Sequence, residues 1–392
     1  MRPLEGITVV SLEQAVAAPF AARQLADLGA RVIKVERPGA GDFARGYDKT
    51  VKGLSSHFVW LNRAKESLTL DLKHPEAAEV MQRLVAKADV FIQNLAPGAA
   101  ERLGLGAETL TAQHSRLIVC DISGYGSTGP YRYKKAYDLL IQSEAGVLTV
   151  TGTEETPSKV GLSIADIATG MHAYSAVLTA LFQRERTGKG GRVEVSMFEA
   201  LTEWMGYPLY YAHYSGQRPA RSGPDHATIV PYGRFTAGDG KSVMFGIQNE
   251  REWAQFCALV LEQPVLAEDP RFKGNPQRVA NRAALQAIMD GVFSKLTAAQ
   301  LVERLDRAQI ANARMNELDE VWAHPQLAAR GRWRTMTSPA GELDTLLPPA
   351  THADFEARMG PVPAVGEHTD AILRELGYGT QQIAALRTAA AI

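Results

Sequence analysis

The sequence predicts an α/β fold, with a parallel, doubly wound sheet in a large domain followed by a smaller α+β domain. Three observations carry this expectation. From residue 6 to about 123, short Val- and Ile-rich runs alternate with amphipathic stretches, the pattern of strands buried on both faces and joined by crossover helices. Around 215–231 the texture changes to "SGQRPARSGPDHATIVP", whose Gly, Pro and Arg content reads as a linker or a functional loop. Beyond it, a hairpin pattern and three helical stretches form a second group.

In chain order, "GITVVSL", "APFAARQLADLG" and "ARVIKVE" read as strand, helix and strand. The pattern repeats as a strand over 67–72, a helix over 74–88, and strands over 89–95 and 116–123. A helix from about 167 to 186 follows Asp166 and runs into "RTGKGGR", whose basic residues and glycines are C-terminal signals. A strand, "RVEVSM", and an aromatic helix, "EALTEWMGYPLYYAHY", come next. In the second group, "YGRFTAGDGKSVMFGI" turns at Asp239 and Gly240, and helices fall near 250–262, 277–295 and 298–309. After about 325 the chain is irregular until the helix "DAILRELG". That tail has no core of its own and should pack back on the large domain or on another subunit.

The composition is that of an ordinary globular protein, at 45% hydrophobic and 22% charged over 392 residues. No apolar run approaches the ~18 residues of a membrane span, and the N-terminus turns polar too early for a secretory segment, so the cytoplasm is the expected compartment. A net charge of -1 without a Lys/Arg-dense block gives no electrostatic reason to bind nucleic acid. Small molecules and other copies of the chain are the expected partners. The two cysteines, Cys120 and Cys257, lie in apolar contexts, and the nine histidines are scattered without a ligand-like spacing, so no metal is expected.

Glu36 ends the first strand-helix-strand unit, where a dinucleotide fold places an acid for the ribose. The preceding turn, "EQAVAAP", lacks the glycines that let a backbone approach a pyrophosphate, which disfavours a nicotinamide cofactor. Ser127, in "GYGST", reads as part of a turn. Basic residues do stand where strand ends should meet a ligand. Arg37 follows the second strand, Lys73 follows "LTLDL", Arg102 opens a short helix, and Lys134 and Lys135 follow a Gly-rich loop. Their convergence on one edge suits a phosphorylated ligand. Asp166 sits where a helix should start, so it suits a cap, yet a helix N-terminus also favours a charged, nucleophilic carboxylate. Asp138 reads as the cap of its own apolar helix, Tyr137 as packing and Glu144 as surface.

Several segments together resemble the family III CoA-transferases of the CaiB/BaiF type. They are "PLEGITVVSLEQAVAAPFAARQLADLGARVIKVERPGAGD", "SLTLDLKHPEA", "ADVFIQNLAPGAAERLGL", "RLIVCDISGYGSTGP", "ADIATGMHAYSAVLTALFQRERTGKG" and "GEHTDAILRELG", and they run nearly end to end. The resemblance implies a Rossmann-like large domain over 1–215, completed by a returning segment over 325–392, and a linker with the small domain over 216–324. It also implies an interlocked homodimer with residues of both subunits at the active site.

For chemistry, the resemblance implies that Asp166 is the nucleophile that carries CoA from an acyl-CoA to a small carboxylic acid, with CoA as a substrate and no further cofactor or metal. Matching positions imply CoA contacts from Val16, Arg37, Leu70, Lys73, Asn94, Leu95, Arg102, Lys135 and Tyr137. In the 2-methylacyl-CoA racemases of the same superfamily a His precedes the Asp of the "AYD" segment. Here that residue is Tyr137, a poor base near neutral pH, which favours transfer over racemisation. "SGPDHATIVPYGRF" lacks the paired glycines of the formyl-CoA transferase loop and is closer to the succinate-hydroxymethylglutarate branch. Succinyl-CoA as donor and a C4 to C6 dicarboxylate as acceptor follow, with Arg23, Arg221, His226 or Thr228 for the distal carboxylate.

Overall fold

A computed structural model describes all 392 residues, and the chain divides into two compact units. The first comprises 1–145, 160–206 and 326–392 and is built on six strands: β1 (Thr8–Leu12), β2 (Arg31–Glu36), β3 (Lys65–Thr69), β4 (Val90–Gln93), β5 (Ile118–Ser123) and β6 (Gly191–Ser196). All pair in parallel in the order β3-β2-β1-β4-β5-β6, with Val9 between Val32 and Val90. Val9, Val10, Val32, Ile33, Leu68, Phe91, Ile92, Ile118 and Val119 of these strands are buried because helices cover both faces, while the edge strand β6 alternates exposed Arg192 and Glu194 with less exposed residues.

One face packs against the first helix (Ala17–Asp27) and the long helix (Ile164–Thr187), through Val9, Val32, Ile92, Ile118 and Cys120 against Ala21, Leu25, Ala173 and Val177. The two helices lie very close together. A Cβ placed on Gly170 would stand 2.7 Å from the Ala17 carbonyl oxygen, so only glycine fits there. The other face packs against the helix Ala77–Val85 and against two helices at the end of the chain, Thr369–Glu375 and Thr380–Thr388. Ile372, Leu373, Ile383 and Leu386 share that core with Val10, Ile33, Leu68 and Phe91. A hairpin of β10 (Trp333–Ser338) and β11 (Gly341–Leu346) packs Met336 and Leu343 on Phe58 and Val362.

The second unit comprises 146–159 and 207–325, so the division falls after residue 206 rather than 215 and takes in a short earlier segment. Its antiparallel sheet, β7 (Tyr232–Thr236), β8 (Ser242–Gly246) and β9 (Asn312–Arg314), turns between β7 and β8 at Gly240, whose φ is +78°. The sheet packs Phe235 and Phe245 on helical residues that include Trp253, Phe256, Phe293 and Leu301. No residue of the helix Gly206–Ser215 is buried. No helix is long and apolar enough to cross a membrane.

Candidate active site

The strand order reverses between β1 and β4, because the first helix follows β1 onto one face and Ala77–Val85 precedes β4 on the other. The crevice beyond their C-terminal ends is where such sheets bind ligands. Here it is bounded by the turn from Glu13 to Val16. The Asn94 side chain holds Gln14 by both backbone groups, with Oδ1 accepting from its N–H at 2.9 Å and Nδ2 donating to its carbonyl at 2.9 Å. Ala15 has φ +63°, which an L-residue adopts only when its surroundings fix it, and its N–H donates to Asp42 Oδ1 at 3.2 Å.

Asp166 lies in the first turn of the long helix, but it does not cap that helix. Ser163 is the N-cap residue and makes no side-chain cap. The free N–H groups are taken by Asp138, whose Oδ1 accepts from Ala165 at 2.8 Å and from Asp166 at 3.3 Å. Asp138 therefore caps the long helix rather than its own, Asp138–Glu144, whose N-cap is Tyr137. The Asp166 carboxylate is free to turn toward the first helix, where the backbone N–H of Ala17 faces it. Burial, and then the Asp138 charge, push its pKa up to about 7, with the Ala17 N–H opposing them. This corrects the expectation that the helix start keeps Asp166 ionised, because the nearest acid serves as the cap and raises the pKa. Tyr47 and Tyr137 share this corner. Burial pushes the Tyr47 hydroxyl up to about 12, with contributions from Asp42, Asp166 and Tyr137.

The topology sets Arg37, Lys73, Arg102 and Lys135 after β2, β3, β4 and β5, on one edge of the sheet, and all four are exposed. Arg102 closes the turn Ala99–Arg102 instead of opening a helix. Val16 is buried at the N-cap of the first helix, Leu95 is half-buried, and Tyr137 is exposed. Leu70 is a core residue just past β3, so only its backbone could meet a ligand. Lys134 pairs with Glu144 at 2.8 Å. Ser127 bonds Glu194 at 2.9 Å, as a turn residue. Glu36 is held by Arg45, Ser67 and the Asp42 N–H, which removes it from any ribose role.

Arg23 is buried and bound to Asp27 at 2.9 Å, an acid that Arg63 also clasps at 2.8 Å. Arg221, His226 and Thr228 fall in the second unit. Arg221 donates to the carbonyls of Thr153 and Glu154, while His226 Nδ1 accepts from the Thr228 and Ile229 N–H groups and its ring stacks on Tyr232 at 5.2 Å.

A buried ionic cluster that the sequence does not announce lies beneath the 13–16 turn. Glu13, Lys34, Asp42 and Lys65 are all nearly inaccessible. Glu13 Oε1 lies 2.5 Å from Lys65 Nζ and 3.2 Å from Lys34 Nζ, which is 2.8 Å from Asp42. Despite the cost of burial, the two cations and Ser11 hold the Glu13 pKa down at about 2, while burial brings Lys65 down to about 8. The only signal was charge inside otherwise apolar strand patterns, as in "RVIKVE".

Residues 4–369 match the sequence pattern of CoA-transferase family III. The succinyl-CoA:glutarate CoA-transferase of Mus musculus is 35% identical over 96% of this chain and 87% of its own length. The acetyl-CoA:oxalate CoA-transferase of Acetobacter aceti is 36% identical over 84% of each chain. A CaiB/BaiF family protein from Brucella suis, known by crystal structure, superposes with a TM-score of 0.84 at 34% identity, covering 96% of this chain and 99% of that one. With the match running through β1, the Asp166 helix start and the returning tail, the chain belongs to CoA-transferase family III and is a transferase.

Proposed function

We propose that the protein moves CoA from succinyl-CoA to a C4 to C6 dicarboxylate, such as glutarate, mesaconate, itaconate, citramalate or malate, through a thioester on Asp166. The observation that carries this is a half-buried carboxylate at the topological switch point, capping nothing and facing a backbone donor. The ionised carboxylate attacks the thioester carbonyl, the C–S bond breaks, and CoA leaves as thiolate from a mixed anhydride. The thiolate then attacks the Asp166 carbonyl of that anhydride, releasing the donor acid as carboxylate and leaving aspartyl-CoA. The acceptor carboxylate repeats the sequence in reverse. The Ala17 N–H suits the oxyanion that develops when the Asp166 carbonyl is itself attacked, by the CoA thiolate and later by the acceptor carboxylate.

The donor and acceptor classes rest on relatives such as the mouse enzyme and on the "SGPDHATIVP" segment. The exposed cations Arg37, Lys73, Arg102 and Lys135 would meet the CoA phosphates, while Val16, Asn94, Leu95, Tyr137 and the Leu70 backbone would line its path. A homodimer fits the apolar surface left open on the helix Gly206–Ser215, where Tyr207, Tyr210 and Tyr214 are exposed. Incubation with succinyl-CoA followed by hydroxylamine or borohydride should mark Asp166 in a peptide mass map. Full transfer by an Asp166→Ala enzyme overturns the proposal, and α-proton exchange of a 2-methylacyl-CoA in D2O without acceptor would favour racemisation instead.

A further inference from the structure

We infer that Lys65 is a positioning residue for the reaction: from beneath the first helix it fixes the turn that presents the Ala17 N–H to Asp166. The inference rests on the nucleophile assigned above. Two observations support it. First, the segment that carries Ala17 is not self-supporting. The N-cap residue, Val16, offers no side-chain cap, and Ala15 is held in the left-handed region. Its support comes from elsewhere, through Asn94 on Gln14, Asp42 on Ala15, and Lys34 Nζ on the Glu13 carbonyl at 3.3 Å.

Second, of the four buried charges Lys65 alone hydrogen-bonds to a residue of the first helix. Its three N–H donors are all used, toward Glu13 Oε1 at 2.5 Å, the Pro19 carbonyl at 3.0 Å and Asn62 Oδ1 at 3.1 Å. Pro19 is the third residue of the helix that starts at Ala17. The same turn is packed without slack against the long helix at Gly170, one turn along from Asp166. A small shift of the first helix therefore moves the donor relative to the carboxylate. Burying two cations and two anions is a poor route to stability, since apolar residues often do as well. Fixing one geometry is what this cluster adds.

The test uses the full-length enzyme, with transfer from succinyl-CoA to glutarate read by mass spectrometry. Lys65→Met removes the anchor but leaves Glu13 only Lys34 and Ser11 as partners, so Glu13→Gln with Lys65→Met is made beside it, leaving Lys34 paired with Asp42. In the double variant we expect thermal stability near that of the parent, kcat at least tenfold lower, and KM for succinyl-CoA within about threefold. The acid limb of kcat/KM should also move to higher pH, because a carboxylate that loses a donor holds its proton longer.

A stable double variant with parental kcat and acid limb overturns the inference. Should both variants fail to fold, Asn62→Ala leaves every charge in place and loosens the same ammonium. It must lower kcat at least threefold and raise the acid limb, and an unchanged profile overturns the inference. Asp166→Asn run alongside separates the two claims. Full transfer by that enzyme overturns the nucleophile, whereas parental Lys65 variants beside an inactive Asp166→Asn overturn the positioning role alone.

Discussion

Replacing Asp166 by Asn should abolish transfer and, at alkaline pH, make the protein more stable. The carboxyl pKa stands at about 7 against an ordinary 3.8, chiefly through burial and the facing Asp138. A raised acid favours the neutral form in the folded state, so the group contributes its full stability below about pH 4 and loses it as pH rises through 7. The difference is about three pH units, each worth ~1.4 kcal/mol, which sets a ceiling of about 4 kcal/mol on the cost of ionised Asp166 at pH 8 to 9. Asparagine keeps an oxygen for the Ala17 N–H and removes the charge. Thermal unfolding of parent and Asp166→Asn from pH 4 to 9 should give coincident midpoints at the acid end and a gap on the order of 5 °C at the alkaline end. A gap independent of pH, or an Asn variant less stable at pH 8, would refute the placement of a strained carboxylate in this corner.

Further outcomes follow from the same geometry. Asp138→Asn retains an oxygen to cap Ala165 while removing the like charge, so the acid limb of kcat/KM should fall by about one pH unit; an unmoved limb would mean that Asp138 does not face Asp166. Gly170→Ala should displace the Ala17 turn, with kcat at least tenfold lower and a lowered unfolding midpoint, because the added carbon meets backbone rather than a flexible side chain. Asp27→Ala leaves Arg23 and Arg63 without their shared acid and should cost about 3–5 kcal/mol by urea denaturation, with kcat of the surviving fold little changed.

The large domain was legible because its central strands are buried on both faces, so β1, β2, β4 and β5 carry Val- and Ile-rich stretches separated by helical patterns. That same burial hid the ionic cluster. Lys34 in "RVIKVE" has the sequence look of a solvent-facing lysine, and only the assembled sheet shows that there is no solvent to face. Asp166 could be singled out at a helix start, yet its role as a cap was misassigned. The true cap, Asp138, is 28 residues away, and a favourable residue type at a helix start does not reveal which distant side chain has already taken the N–H groups. The aromatic stretch 199–214 reads as one helix, whereas the structure divides it into Met197–Trp204 and Gly206–Ser215, and the lack of any buried residue in the second is a property of surroundings that local periodicity does not encode.

The helices of the last two dozen residues complete the core that the first strands begin. During synthesis, β1 to β5 emerge long before Ile372, Leu373, Ile383 and Leu386 exist to cover them. The residues of the second unit's core, from Val230 to Ile310, are by contrast nearly contiguous and all available earlier. The inserted unit's core is therefore complete in the chain before that of the large domain, so it is able to close first. A ribosome stalled before residue 370 holds a CoA-transferase whose sheet is only partly covered on one side, by Ala77–Val85 without the terminal helices, and a deletion of those last helices should be recovered as aggregate rather than as a weakened enzyme.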